Sequence, residues 1–341
     1  MKILYAVQAT GNGHIGRARV MAEALKKQNI EVDWIFSGRP ASTFFDMQSF
    51  DNFKAFSGLS FIVKNNKISI FKTLVNANLI QFYKDVKSID FAGYDLFIND
   101  FEPITAWAAK LQKVKSIGLS HQSAFLYDIP FVKRNFLFDL SMKHYAPIDL
   151  PIGIHWQRFN DHIIPPIIAK NSNKIECNKS EIVVYIPFHS AEETINLLKE
   201  FTEYNFHIFR HDKPKHNYPH LTFYNFSRTV FAAQTAKCSG IITNAGFELP
   251  SEALQIGKKL LVEPLKNQME QISNAHMLDQ FEWSRSEDKI SKQHIKQWLD
   301  SNQYKKIVWP NVADAMAEWI KTGNTDDLPQ LSHKLWKQVN P

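Results

Sequence analysis

At 341 residues, with 44% hydrophobic and 22% charged residues, the chain can hold two cores and has neither a disordered nor a low-complexity composition. Two cysteines, Cys177 and Cys238, are too few for a disulfide framework or a cysteine-based zinc site, and no stretch approaches the roughly 18 apolar residues of a membrane span. A net charge of +6 suits an anionic partner such as a nucleotide, a phospholipid or a nucleic acid.

The N-terminal run "KILYAVQAT" reads as a buried strand, with no signal-peptide cleavage pattern, so a cytoplasmic location is expected. "GNGHIGRA" follows as a glycine turn, then "RVMAEALKKQ" as a helix and "EVDWIFSG" as a second strand. This β-turn-α-β order predicts a parallel sheet. Gly11, Gly13 and Gly16 spell G-x-G-x-x-G, but the second strand ends in Ser37 and Gly38 where a dinucleotide site wants an acidic residue; Arg39 nearby keeps a 2′-phosphate reading open. His14 sits in the same turn, and histidine is the natural general base near neutral pH.

"YDLFIND" is the next strand and ends at Asp100. "FEPITAWAAKLQ" is its helix, which Asp100 or Glu102 either caps or leaves for catalysis. "KSIGLSHQ" is a further strand ending at His121, which can line the same pocket. Two stretches, residues 61–88 and 131–145, mix Phe, Ile and Leu with lysines, as ordinary amphipathic helices or anionic membrane surfaces require.

A proline-containing and then polar segment, 161–180, reads as a linker between a first domain over 1–160 and a second over 181–320. In the second the strand and helix pattern restarts with "IVVYIPFH". A tail over 321–341 is expected to pack back on the first domain. The fold class is therefore α/β, two Rossmann-like domains facing across a cleft.

"TNAGFELPSEALQIGKKLLVEP", 243–264, carries the most specific chemistry. Gly246 permits close backbone approach, Pro250 marks the first turn of a helix, and that helix start suits a phosphate. Glu252 lies six residues on, roughly 9 Å at the helical rise, where it can accept from the hydroxyls of a ribose. Glu270 and Gln271 open another helix and suit vicinal sugar hydroxyls. His207, His211, His216 and His220 resemble a metal cluster by count only, since no cysteine or carboxylate pair supports them.

Together these pieces resemble the GT-B glycosyltransferases, in particular the branch of the peptidoglycan lipid-linked N-acetylglucosaminyltransferase and the UDP-glycosyltransferases. A prokaryotic group with G-x-G-H-x-x-R and D-F-E-P motifs, here "GNGHIGRA" and "NDFEP", is more similar still. The resemblance implies an inverting, metal-independent transfer of a sugar from a nucleotide-diphosphate donor, UDP by default, to a hydroxyl acceptor on a cell-envelope glycan or a lipid-linked carrier. It implies no cofactor, no metal and no nucleic-acid partner, and peripheral contact with an anionic membrane on its inner face.

By the same resemblance His14 activates the acceptor, with Asp100 or Glu102 orienting it or serving as the base, and Gly13 and His121 lie on the acceptor side. His189 and Ser190 touch phosphate, Gly246 and Phe247 the diphosphate, Phe226 the base, Glu252 the ribose, and Glu270 and Gln271 the donor sugar. The sequence departs from the family pattern at Ala245-Gly246, at Glu270-Gln271 and at "GKK" before the last strand. A UDP-sugar 2-epimerase of the same fold and a non-catalytic nucleotide-sugar-binding protein remain the alternatives.

Overall fold

The computed structural model describes residues 1–51, 53–59, 63–64, 67–68, 78–132, 136–169, 177–212 and 214–340. Part of the expected linker (170–176) and parts of both basic apolar stretches (61–62, 65–66, 69–77 and 133–135) lie outside the described residues. The chain divides into two compact units, Met1–Ile62 with Ile70–Lys170 and Trp309–Asn340, and Val63–Ser69 with Asn171–Val308 and Pro341.

Unit 1 is built on a parallel sheet. Strand β1 (Lys2–Gln8) is buried from its second residue onward, and helix α1 (Asn12–Lys27) follows it to β2 (Glu31–Ser37) and β3 (Phe53–Phe56). A short antiparallel pair, β4 (Val63–Lys64) and β5 (Lys67–Ile68), which belongs to unit 2, comes next in the chain, and unit 1 resumes with α2 (Leu79–Ser88), β6 (Leu96–Asp100) and α3 (Pro103–Gln112). Then come β7 (Ser116–Ser120), α4 (His121–Ala124), α5 (Phe136–His144), β8 (Leu150–Ile154) and β9 (Ile163–Ile164). The strand order is β3-β2-β1-β6-β7-β8-β9, all parallel. Covered on both faces, such strands are apolar throughout, which is why "ILYAV" and "LFI" do not alternate.

Unit 2 repeats the plan. Its elements are β10 (Glu181–Tyr185), α6 (Ala191–Leu198), β11 (Asn205–Phe209), β12 (Leu221–Tyr224), α7 (Arg228–Lys237), β13 (Gly240–Asn244), α8 (Glu248–Gln255), β14 (Lys259–Glu263), α9 (Met269–Gln280), β15 (Arg285–Ser286) and α10 (Lys292–Asp300). The parallel order β12-β11-β10-β13-β14-β15 is that of a dinucleotide-binding sheet. Its core joins Val184, Ile208, Ile242 and Leu261 of the sheet to Ile295 and Trp298 of α10. Burying one such side chain contributes about 1.5–3 kcal/mol. Gly240 is a packing requirement: a Cβ there would lie 2.6 Å from the Trp298 ring.

The chain re-enters unit 1 at Trp309, earlier than the tail expected from residue 321. Helix α11 (Val312–Thr322) packs on α1, where Lys27 meets Asp314 at 3.1 Å; α12 (Leu328–Trp336) is tied to β9 by Ser332 Oγ and Trp336 Nε1, both donating to Ile163 O at 2.7 Å.

One local expectation is corrected. "GNGHIGRA" is no loop: α1 begins at Asn12 with Gly11 as its N-cap, so Gly13, His14 and Gly16 lie within the helix. Glycine in a helix costs about 1 kcal/mol relative to alanine, which the packed Ile15, Ala18, Met21 and Leu25 offset.

Candidate functional site

In each sheet the strand order reverses once, between β1 and β6 and between β10 and β13, and ligands of open α/β sheets collect beyond the strand ends at such a point. Both sets of sequence candidates gather there.

In unit 1, Asp100 ends β6 and His14 stands in the first turn of α1, just after β1. His14 Nδ1 lies 2.7 Å from Asp100 Oδ1. A carboxylate only accepts, so Nδ1 carries a proton, and in the neutral ring Nε2 is then the acceptor. Arg17, one turn along α1, forks onto the same carboxylate, Nε to Oδ2 at 3.0 Å and Nη2 to Oδ1 at 2.8 Å. Its Nη2 also lies 3.1 Å from His14 Nδ1, but donation along that line needs the opposite tautomer, and Oδ1 is the shorter partner. Asp100 is fully buried, and burial alone would raise its carboxyl; the Arg17 charge and the hydrogen bonds from His14 and Arg17 outweigh that and hold it below the usual carboxylate range. The side chain of His14 keeps 15% exposure, whereas Asp100 has none.

Glu102 has a different part. Its carboxylate accepts from Ile104 N (2.9 Å), Thr105 N (2.7 Å), Thr105 Oγ1 (2.5 Å) and Ser37 Oγ (2.5 Å), and it is completely buried. Burial pushes the carboxyl up, and the Ser37 and Thr105 donors pull it back. With four donors on two oxygens it caps α3 and fastens that helix to β2. Phe101, between the two acids, takes a left-handed φ of 57°, uncommon for a bulky residue. Asn99 braces that turn, accepting from Glu102 N at 2.9 Å and donating to Glu102 O at 2.8 Å. The turn lets consecutive strand-end acids serve different helices. His121 is buried and bonds Ile154 O through Nδ1 at 2.8 Å, so the structure places it inside the wall.

In unit 2, β13 ends at Asn244, and Ala245, Gly246 and Phe247 lead into α8. Gly246 has an ordinary φ, and a Cβ added to it would meet nothing within 4 Å. Unlike Gly240, the fold itself does not need a glycine there. Pro250 falls in the first turn of α8. Glu252 is half-buried, and among the described residues no hydrogen bond or ion pair reaches its carboxyl; burial pushes it up to about 7, with the Arg228 guanidinium pulling the other way. Phe247 is buried, which leaves its backbone to face the turn.

His189, after β10, pairs through Nε2 with Glu263 Oε1 at 3.0 Å. Glu263 ends β14 and also accepts from Ile290 N at 2.8 Å. Nothing in "KLLVEP" singled it out except its place at a strand end. Ser190 caps α6 in a capping box with Glu193, and Arg210 holds the turn from below through His189 O at 2.7 Å and Thr194 Oγ1 at 2.9 Å. Phe226 packs edge-on against His211 at 4.3 Å. Gln271 Oε1 accepts from Leu265 N at 2.9 Å, while Glu270 beside it is half-exposed. Among the described residues no three His, Cys, Asp or Glu are grouped to hold a metal ion; His207 is taken up by Glu181 and Tyr224.

This geometry fits what the comparisons find. A family model described as "Glycosyl transferase family 1" matches residues 1–130 and 155–302. The chain belongs to that family. It is a glycosyltransferase with two Rossmann-like units of the GT-B kind. No curated protein matches the sequence. Among solved structures, UGT89C1 of Arabidopsis thaliana, complexed with UDP, is similar at 14% identity and TM-score 0.55 over 98% of this chain and 99% of that one. The Streptomyces sp. SF2575 glycosyltransferase SsfS6, complexed with thymidine diphosphate, gives 11%, 0.58, 98% and 94%, and MurG of Acinetobacter baumannii 13%, 0.50, 100% and 96%. At these identities the likeness is one of fold.

Proposed function

We propose that this family 1 glycosyltransferase moves a sugar, with inversion and without a metal, from a nucleotide-diphosphate donor, a UDP-sugar, to a hydroxyl of a lipid-linked or cell-envelope glycan acceptor. The observation that carries the donor half is Glu252, a half-buried carboxyl that no donor among the described residues reaches, placed on the helix that follows a glycine the fold does not need. A carboxylate in that state is satisfied by ligand hydroxyls. The diphosphate would lie against Gly246 at the positive end of α8, with the ribose on Glu252 and the base by Phe226. Glu270 and Gln271 would meet the sugar, and His189 the phosphate.

In the reaction His14 Nε2 takes the proton from the acceptor hydroxyl. That oxygen bonds to the anomeric carbon as the bond to the diphosphate oxygen breaks, and the nucleoside diphosphate leaves with the electron pair. The helix N-terminus meets the charge that develops on it.

Thermal-shift titration with nucleoside diphosphates, followed by a donor-consumption assay, tests the proposal. UDP is expected to raise Tm in a concentration-dependent way. Transfer to an added acceptor supports the reading. A 2-epimerised nucleotide sugar formed without acceptor overturns it in favour of the epimerase, and binding with no turnover in favour of a binding protein.

The acceptor half of the proposal places the protein at an anionic membrane. On α2, Leu79, Ile80 (73% exposed) and Tyr83 share the solvent side with Lys84 and Lys87; on α5, Phe136 (75%), Leu137 (73%) and Leu140 do so with Lys143. Both helices return the chain to a parallel strand, so both begin at the carboxyl end of the unit 1 sheet, the end that carries His14. Flotation with anionic vesicles at low salt is expected to carry the protein, and high salt to release it. Replacing Phe136 and Leu137 by aspartate removes about 1.5–3 kcal/mol of burial apiece and should weaken vesicle binding tenfold or more. Absence of the wild-type protein from the floated fraction sinks the membrane assignment.

A further inference from the structure

We infer that Arg17 is a positioning residue for the His14–Asp100 pair: it neutralises the Asp100 carboxylate, so that Asp100 can orient His14 without drawing a second proton onto it. The inference rests on the reading of His14 as the base. A general base must reach its substrate with the accepting nitrogen bare, here Nε2. A buried carboxylate 2.7 Å from the other nitrogen fixes the tautomer but also strongly favours imidazolium, the form that cannot accept.

The structure resolves that conflict with one residue. Arg17 is 2% exposed at its side chain and engages both Asp100 oxygens in a fork, so the carboxylate's charge is met before His14 adds its bond. Helical spacing makes this possible, since His14 and Arg17 are three residues apart on α1 and point to the same side. Among the described residues, Arg17 on α1 and Tyr5 on β1 act electrostatically on Asp100 beside His14. The Tyr5 phenol is pushed up by burial and by Asp100 and stays neutral, so Arg17 carries the compensation. A lysine at 17 supplies the charge but not the fork.

The test compares wild type, Arg17→Met and Arg17→Lys. In ¹⁵N-labelled wild-type protein at pH 7, His14 is expected to show one protonated nitrogen, Nδ1. In Arg17→Met both nitrogens should be protonated at that pH, and the acid limb of kcat/KM should move up by about 1–3 pH units, the size of an opposite-charge effect at this range. Activity lost at pH 7 should return at higher pH, and added guanidinium should restore part of it. Arg17→Lys should keep the limb in place with a lower kcat.

A residue that only supports the fold would lower the rate at every pH and leave the limb where it is. That result, or a singly protonated His14 in a folded Arg17→Met protein, overturns the inference. If Arg17→Met does not fold, a limb displaced by a full unit in Arg17→Lys overturns it instead. The nitrogen signals need no turnover, so a failure of Arg17's role stays distinct from a failure of His14 as base.

Discussion

Replacing His14 by alanine is expected to slow sugar transfer by about 10²–10⁴, the usual contribution of a positioned general base, while nucleotide affinity stays close to that of the parent. The reason lies in where the residues sit. His14 belongs to unit 1, and every residue assigned to the nucleotide belongs to unit 2. Glu102 is saturated by four donors and fully buried, and Asp100 is engaged by Arg17 and His14, so neither is placed to take over. Asp100→Asn should also be slow, because an amide no longer holds the Nδ1–H tautomer. The double variant should lose little more than His14→Ala, since the two act as one unit. Single-turnover rates and UDP titration on each variant check this. Near-normal turnover in a folded His14→Ala protein removes the base assignment.

Glu252→Gln should weaken nucleotide binding about ten- to a hundred-fold, as each ribose hydroxyl gives up a charge-assisted bond of roughly 1.5–3 kcal/mol. The wild-type carboxyl adds a pH signature. Burial raises it to about 7 in the free protein, whereas an unfolded chain holds it near 4.5. Between those values the folded state binds more protons, so this group costs stability progressively as pH rises from about 4.5 to 7 and its full cost is present above that.

Donor hydroxyls favour the ionised form and reverse the raise. Affinity should therefore be full above about pH 7 and fall as pH drops below it, towards a limit of about tenfold per unit, with one proton released per ligand bound. Calorimetry in two buffers of different ionisation enthalpy measures the proton directly. A UDP-sugar is the right probe, because its diphosphate has no proton that titrates in this window. Glu252→Gln should abolish the pH dependence as well as weaken binding. Gly246→Val should lower affinity at every pH and leave that dependence intact, because open space at its Cβ spares the fold. A pH-independent affinity in wild type leaves Glu252 outside the nucleotide site.

The sequence by itself determined the local elements and their order. Apolar runs such as "ILYAV" and "IVVY" announced buried strands of a parallel sheet, and Pro250 marked a helix first turn, because backbone sterics and missing N–H groups act within a few residues. It also drew attention to His14 in the turn after the first strand, Asp100 at a strand end and Glu252 in a helix after a glycine turn. It did not reveal short β9 and β15, whose two-residue lengths carry no periodicity, nor that Gly13 and Gly16 lie in a helix.

Only the tertiary structure decided which candidate does what. His14 and Asp100 are 86 residues apart and meet because β1 and β6 are neighbours at the reversal of strand order. The same strand end separates Asp100, turned towards α1, from Glu102, spent on α3, through a left-handed Phe101 that no local preference foretells. Ser190 and Glu102 went to caps, and Glu263 and Arg17 entered the sites. Glu252 acquired its raised carboxyl from burial. Desolvation and charge pairing depend on what surrounds a side chain in space, and a sequence read one element at a time does not contain that neighbourhood.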